Sequence, residues 1–144
     1  MAFKKETTRQ QFSEAIAAEL QPGERVLAGG FTVSGPSPML AAAVGAAGML
    51  LLGMRSYYMA VTDRRVVMMR ASGMSGRPRG LAFADPRAGV SITKVRSAAV
   101  WSHLKYRRPD GKQMRLNFHR KWRDDMEAIV QSMSDVSAAQ PAYR

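Results

Sequence analysis

A basic stretch between Lys94 and Arg123 carries the clearest chemical signal in the chain, with ten Lys or Arg residues against one acid, Asp110. Cations that share a sheet face repel each other unless an anion lies over them. Near an anionic leaflet each contributes about 1 kcal/mol of binding free energy, and an amphipathic Trp ring suits the interface. A solvated face that keeps sheet edges unpaired is the alternative. The candidate anion-binding residues are Lys94, Arg96, Trp101, Lys105, Arg107, Arg108, Lys112, Arg115, Arg120 and Lys121.

The apolar segment Pro38–Met54 is the second candidate, with 17 residues and no charged side chain. We expect one helix, capped by Ser37 and starting at Pro38. Such a helix would span roughly 25 Å, less than the roughly 30 Å hydrocarbon core of a bilayer. Packing on the protein, dipping into a membrane and crossing it therefore stay open. The candidate residues for contact with lipid or a second subunit are Met39, Leu40, Val44, Met49, Leu50, Leu51, Leu52 and Met54.

The composition argues against catalysis and points to an anionic partner. The chain has 144 residues, a formal charge of +11 and no cysteine. With His103 and His119 as its two histidines it offers no His/Cys metal set, and no nucleophile with a base can be named, so we expect neither an enzyme nor a cofactor. A strongly basic protein suits a membrane surface or nucleic acid. No nucleic-acid-binding motif is visible, so nucleic acid is the less favoured partner.

Hydrophobic periodicity predicts a mainly β domain between two amphipathic helices. In the last strand Met114, Leu116 and Phe118 should point inward, and Gln113, Arg115 and Asn117 outward. Gly29-Gly30 suggests a bulge or a close backbone approach. The predicted helices are Thr7–Leu20, Pro38–Met54 and Arg120–Met133. The predicted strands are Glu24–Ser34, Tyr57–Val61, Val66–Arg70, Arg79–Phe83, Val90–Val95, Ala99–Arg107 and Lys112–Phe118.

The stretch YYMAVTDRRVVMM, from Tyr57 to Met69, reads as a buried hairpin whose turn holds Asp63, expected to accept hydrogen bonds from the turn's own amides. This phrase, the strand order and a terminal helix bearing Trp122 resemble bacterial pleckstrin-homology-like (PH-like) domains. The resemblance implies an α+β, mainly β fold: a partly open antiparallel barrel of about seven strands with a C-terminal capping helix. It also implies binding or scaffolding rather than catalysis.

The sequence thus predicts an N-terminal amphipathic helix in 1–23, a PH-like domain in 24–133 with an apolar helical insert at 38–54, and a flexible tail in 134–144. The charged N-terminus does not resemble a secretory signal, so we expect a cytoplasmic protein at the inner face of the cell membrane. The expected function is peripheral association with an anionic membrane through the basic sheet face and the apolar helix. The alternatives are a soluble PH-like scaffold that oligomerises or docks on a protein through that helix, and a nucleic-acid-binding protein.

Overall fold

Helices and strands follow one another in the order that the sequence predicts. The computed structural model describes residues 4–41, 43, 45–73 and 75–139. The α-helices in these ranges are α1 (Lys5–Ala17), α2 (Pro38–Ala41), α3 (Gly45–Leu51) and α4 (Arg123–Ala139). The strands are β1 (Val26–Ser34), β2 (Arg55–Thr62), β3 (Arg65–Ala71), β4 (Pro78–Pro86), β5 (Ser91–Arg96), β6 (Trp101–Arg107) and β7 (Gln113–His119). Short 3-10 turns, Arg87–Gly89 and Arg120–Trp122, follow β4 and β7.

The seven strands form one antiparallel sheet in the order β4-β3-β2-β1-β7-β6-β5. It consists of two meanders, β1 to β4 and β5 to β7, which meet where β1 pairs with β7. That seam comprises two residue pairs, Val33 with Asn117 and Ser34 with Leu116. The outer strands, β4 and β5, do not pair with each other, so the sheet stays open. A mainly β chain with a C-terminal helix is therefore confirmed.

A side-chain contact bridges the open side of the sheet. Asp85 of β4 is buried and accepts a hydrogen bond of 2.8 Å from the hydroxyl of Tyr106 in β6. The guanidinium of Arg108 donates to both oxygens of the same carboxylate, at 3.0 and 3.1 Å. Burial and the nearby carboxylate raise the pKa of Tyr106, so its hydroxyl remains protonated and can donate. The two meanders are thus joined at a second place without backbone pairing.

Helix α4 packs its predicted apolar stripe onto the sheet. Trp122, which precedes the helix, and Met126, Ile129 and Met133 within it are buried, as their spacing predicts. The Trp122 ring lies 6.0 Å from the ring of Tyr58, between centroids. Helix α1 contributes Phe12, whose ring stacks on Tyr58 at 4.6 Å. The N-terminal helix therefore shares the core of the sheet.

Strand β1 approaches its neighbours closely at its glycine pair. A β-carbon on Gly29 would lie 2.8 Å from Cε1 of Tyr58, and one on Gly30 would lie 3.0 Å from Cβ of Asp125 in α4. Real β-carbons essentially never show the first of these distances. The close approach predicted for this pair is confirmed, whereas the register shift falls earlier, between Val26 and Ala28.

The turn between β2 and β3 is held by Thr62, and the role predicted for Asp63 is wrong. The Thr62 hydroxyl oxygen accepts from the backbone amides of Arg64 and Arg65, at 3.1 and 2.9 Å. Asp63 instead accepts from the amide of Arg25 at 3.0 Å, and its own amide donates to the Arg25 carbonyl. A threonine hydroxyl already satisfies the turn, which leaves the aspartate to fasten the start of β1.

Glu24, in the segment between α1 and β1, binds this turn through a buried ion pair. Its side chain is 0% exposed and accepts from Arg65 Nε at 2.9 Å and from the Thr62 hydroxyl at 2.6 Å. Arg65 also donates to the carbonyl oxygen of Glu19. The Arg65 hydrogen bond lowers the pKa of Glu24 to about 2. Asp63 and Arg65 of this turn therefore have structural roles.

Replacing Glu24→Gln should destabilise the fold, because Arg65 would lose its buried counter-ion. We expect a loss of about 3 kcal/mol in the free energy of unfolding at neutral pH. Since the folded-state pKa lies near 2, below the ordinary 4.5, the stabilisation is complete above roughly pH 5 and declines as the pH falls towards 2. Urea unfolding at neutral and acidic pH measures both effects. Glu14→Gln, on an exposed position of α1, is the matched control. Equal stability of the Glu24 variant and the wild type at neutral pH would contradict the structural role.

Candidate functional site

The outer side of β5, β6 and β7 brings several predicted cations together. Lys105 of β6 is paired with Lys94 of β5 on one side and with Arg115 of β7 on the other. Directly opposed residues have Cβ atoms about 5 Å apart. His103, two residues before Lys105, is paired with Arg96. We call Lys94, Arg96, His103, Lys105 and Arg115 the basic face.

The charge of the basic face is not neutralised by the protein itself. In the described ranges, none of its four Lys and Arg residues forms an ion pair with a carboxylate. Lys94 and Arg96 are exposed, and Lys105 and Arg115 are half-buried. Opposed like charges destabilise a sheet. An anion placed over the three strands would therefore gain favourable interactions with several side chains at once.

His103 is a neutral group within these cations. The Nη2 atom of Arg115 lies 3.3 Å from Nδ1 of the imidazole. Burial lowers the pKa of His103, and Arg115, Lys94, Arg96 and Lys105 lower it further. The electrostatic potential at this point of the sheet is thus strongly positive.

Trp101 and Arg107 lie at the two ends of β6, on the side that the alternation predicts. Trp101 is half-buried, and its ring lies 5.2 Å from the His119 ring, nearly perpendicular to it. Arg107 is exposed and paired with Gln113. Both residues extend the basic face along the strand, one with an aromatic ring and one with a further charge.

Arg108 does not belong to the basic face, contrary to the sequence-based prediction. Its guanidinium pairs with the buried Asp85 and lies 3.9 Å from the ring centroid of Phe83. The Asp85 hydrogen bond raises its pKa. The residue lies just beyond the end of β6, where the strand alternation no longer determines its direction, so its proximity in sequence to Arg107 was misleading.

The other predicted cations lie beyond the strand ends. Lys112 is exposed in the turn between β6 and β7. Arg120 and Lys121 are exposed in the 3-10 turn that follows β7, and the carbonyl oxygen of Lys121 accepts from Lys5 Nζ at 2.7 Å. These three residues add charge near the basic face without joining its cross-strand row.

The apolar segment forms two short helices, α2 and α3, so the prediction of one helix over Pro38–Met54 is wrong. Gly45, the first residue of α3, and Gly53, which follows α3, have positive φ angles of 75° and 73°, so one continuous α-helix cannot run through these two positions. The predicted cap is confirmed, because Ser37 Oγ accepts from the amide of Met39 at 3.3 Å. In the described ranges, no helix combines the length and the apolar character needed to cross a bilayer. We call residues 36–54 the insert.

Several predicted contact residues of the insert are exposed. Their exposed fractions are 64% for Met39, 56% for Leu40, 88% for Leu51 and 39% for Leu52. The prediction that Met54 contacts lipid or a second subunit is wrong, because Met54 is 5% exposed. It packs so closely on Gly35 that a β-carbon there would lie 2.9 Å from its Cγ. Val44 and the side chains of Met49 and Leu50 lie outside the described residues.

Asn117 fastens the start of the insert to β7, next to the basic face. Its side-chain nitrogen donates to the carbonyls of Val33, Gly35 and Pro36, at 2.9, 3.0 and 3.3 Å. Its side-chain oxygen accepts from Arg115 Nε at 3.0 Å. Asn117 lies on the predicted outward side of β7, beside Arg115, yet it is 1% exposed, since the start of the insert covers it. One amide thus contacts both the apolar insert and a cation of the basic face.

Sequence reasoning missed a second cationic surface at the other end of the insert. Arg55, Arg70 and Arg79 line a groove of about 550 Å³ together with Ser56, Tyr57 and Ser72. We call it the arginine groove; none of its described lining residues is acidic. These arginines lie at the start of β2, near the end of β3 and near the start of β4. Strand ends of this kind lie at the same end of an antiparallel meander. The positions of the three arginines along the sequence could therefore have predicted that they lie together.

The described side chains suit electrostatic binding. Among these residues, no cluster of three or more His, Asp or Glu side chains could hold a metal ion. Each end of the insert is attached beside a cationic surface: Asn117 ties Pro36 next to Arg115, and Arg55 directly follows Met54. The exposed apolar side chains therefore belong to a segment whose two ends adjoin unneutralised cations.

Comparisons with known proteins do not assign a family. No protein-family model and no curated protein matches the chain. One similar solved structure is the C-terminal domain of an unknown protein from Leishmania infantum, at 12% identity and a TM-score of 0.49. The match covers 87% of this chain and 95% of that one. Functional inference therefore depends on the residues of this chain.

Asn117→Ala should loosen the insert, because three carbonyl groups would lose a hydrogen-bond donor. We expect a loss of about 1–3 kcal/mol in the free energy of unfolding. Amide hydrogen exchange should become faster in residues 36–54, with a smaller change in β2 and β3. Gln113→Ala, on the exposed start of β7, is the control and should leave exchange in the insert unchanged. An unchanged exchange rate in the Asn117 variant would contradict the role given to this side chain.

Proposed function

We propose that this chain is a non-catalytic, PH-like binding module that associates peripherally with an anionic membrane surface. The observation that carries the proposal is the attachment of the exposed insert beside the basic face through Asn117. Apolar side chains gain free energy at the boundary between headgroups and acyl chains, and neighbouring cations gain it from anionic headgroups. The apolar and the electrostatic contributions to binding would both come from the region where the insert joins the basic face.

The expected binding free energies favour membrane association through the basic face and the insert together. Four cations at about 1 kcal/mol each would provide about 4 kcal/mol, which alone corresponds to millimolar affinity. Stable membrane association generally needs two signals, such as an apolar group and a polybasic patch. Leu51, which is 88% exposed, Met39 and Leu40 would supply the first signal. The basic face, with Trp101 and Arg107, would supply the second.

The PH-like assignment is part of this proposal. It is supported by two antiparallel meanders in one open sheet and by a terminal helix that directly follows Trp122, whose ring packs against Tyr58. It is also supported by the sequence phrase from Tyr57 to Met69, which forms the buried hairpin of β2 and β3. Non-catalytic binding agrees with the composition of the basic face, which pairs its histidine with cations rather than with a nucleophile.

Removing two charges from the basic face should weaken binding to anionic vesicles. For the Lys94→Gln, Lys105→Gln double variant we expect a loss of about 2 kcal/mol, or roughly 30-fold in affinity. The charge-matched control is Arg25→Gln with Arg64→Gln, because both arginines are exposed at the end of the sheet remote from the insert. Flotation with phosphatidylglycerol-containing and pure phosphatidylcholine vesicles, at low and high salt, measures the effect.

The outcomes of this experiment are distinct. A large loss in the Lys94 and Lys105 variant with little change in the control supports the proposal, and a salt-resistant fraction would report insertion of apolar side chains. Equal losses in the two variants would show non-specific attraction by the net charge of +11 and would contradict a specific face. Absence of flotation at every salt concentration would reject membrane association. A concentration-dependent mass in light scattering would then favour an oligomer formed through the insert.

A further inference from the structure

His103 is surrounded by cations from each strand that packs against it. Arg96 and Lys94 come from β5, Lys105 lies on its own strand, and Arg115 comes from β7. Asn117, the residue directly opposite on β7, is uncharged. The basic face therefore contains one side chain that can change its charge near neutral pH.

The contact between Arg115 and His103 favours the neutral form of the imidazole. Arg115 Nη2 lies 3.3 Å from the Nδ1 atom of the ring. A guanidinium has donors and no acceptor, so this contact is a hydrogen bond only when Nδ1 is unprotonated and accepts, as in the neutral imidazole that carries its proton on Nε2. Burial and the four surrounding cations lower the pKa of His103, in agreement with this state. In the free protein, protonation would add a fifth positive charge to four that are already unneutralised.

We propose that His103 takes up a proton when the basic face binds an anionic membrane surface, so that the affinity for the surface increases as the pH falls. This inference rests on the proposed function. Anionic headgroups would offset the charges of Lys94, Arg96, Lys105 and Arg115, which removes the main obstacle to imidazolium formation. Arg115 would turn towards a phosphate oxygen and release Nδ1, which then carries the added proton. Because binding of the surface favours protonation of His103, linkage requires that protonation of His103 in turn increase the affinity for the surface.

His119 differs in a way that makes it a control. Its Nδ1 accepts from the backbone amide of Lys121 at 3.2 Å. A backbone donor in a turn cannot rotate towards a headgroup as the Arg115 side chain can, so protonation of His119 would break a bond that caps the turn. His119→Asn retains a side-chain acceptor at this position. We therefore expect binding to affect the protonation of His103 much more than that of His119.

The test measures binding of the full chain to phosphatidylcholine vesicles containing phosphatidylglycerol, at about pH 6 and about pH 7.5. Wild-type affinity should rise by at least about threefold at the lower pH, since a one-unit shift in pKa can change affinity up to tenfold. His103→Gln should lose most of this rise and His119→Asn should keep it. In parallel, nuclear magnetic resonance of the histidine rings should show the pKa of His103 rising when nanodiscs of the same lipids are added.

Each result decides the proposal. A His103→Gln variant with the wild-type pH dependence, or a His103 ring whose titration is unmoved by nanodiscs, would overturn the proton coupling while leaving membrane binding intact. Inorganic phosphate alone should shift the His103 titration much less than nanodiscs do, and an equal shift would show that the surface is not required. Absence of wild-type binding at both pH values would reject the proposed function together with the coupling.

Discussion

The seam between β1 and β7 is the constraint on which the arrangement of both candidate surfaces depends. Two residue pairs join the meanders there, and the side chain of Asn117 supplements them with hydrogen bonds to three carbonyls. The Thr32 hydroxyl adds a bond of 2.9 Å to the Asn117 carbonyl. The insert begins directly after this seam. A polar side chain buried in the seam therefore determines where apolar residues leave the sheet, and they leave it beside Arg115.

The acids that are buried or half-buried explain which cations remain available for a ligand. Glu24 is paired with Arg65 and Asp85 with Arg108. Asp125 of α4 is paired with Lys5 and Arg9 of α1, at 2.7 and 2.6 Å. Each of these pairs joins elements that are distant in sequence, so the acids are used to hold the fold. With 22 Lys and Arg against 11 acids, the surplus of positive charge lies elsewhere, including the basic face and the arginine groove.

Periodicity predicted the elements that bury one side. The alternation in β7 and the stripe from Trp122 to Met133 are confirmed because a strand or helix with one buried side leaves a regular apolar pattern. The hairpin of β2 and β3 is confirmed because strands that are buried on both sides form continuous apolar runs, and consecutive residues of both strands are buried. The single helix over Pro38–Met54 is wrong, since composition alone did not show that Gly45 and Gly53 would adopt positive φ angles. The positions of Arg108 and Asn117 depend on tertiary partners, Asp85 and the start of the insert, which no local pattern contains. The arginine groove could have been predicted, because in consecutive antiparallel strands the start of β2, the end of β3 and the start of β4 lie at the same end of the sheet.

The depth of the insert in a bilayer tests the central claim most directly. Because the chain has no cysteine, a single spin label can be placed at Leu51 in the insert or at Arg64 in the turn between β2 and β3. We predict that, with phosphatidylglycerol-containing vesicles, the label at position 51 becomes accessible to oxygen and protected from a water-soluble relaxant, while the label at position 64 stays in water. The same aqueous accessibility at both positions, with the protein bound to the vesicles, would contradict the claim that the insert and its neighbouring cations face the membrane.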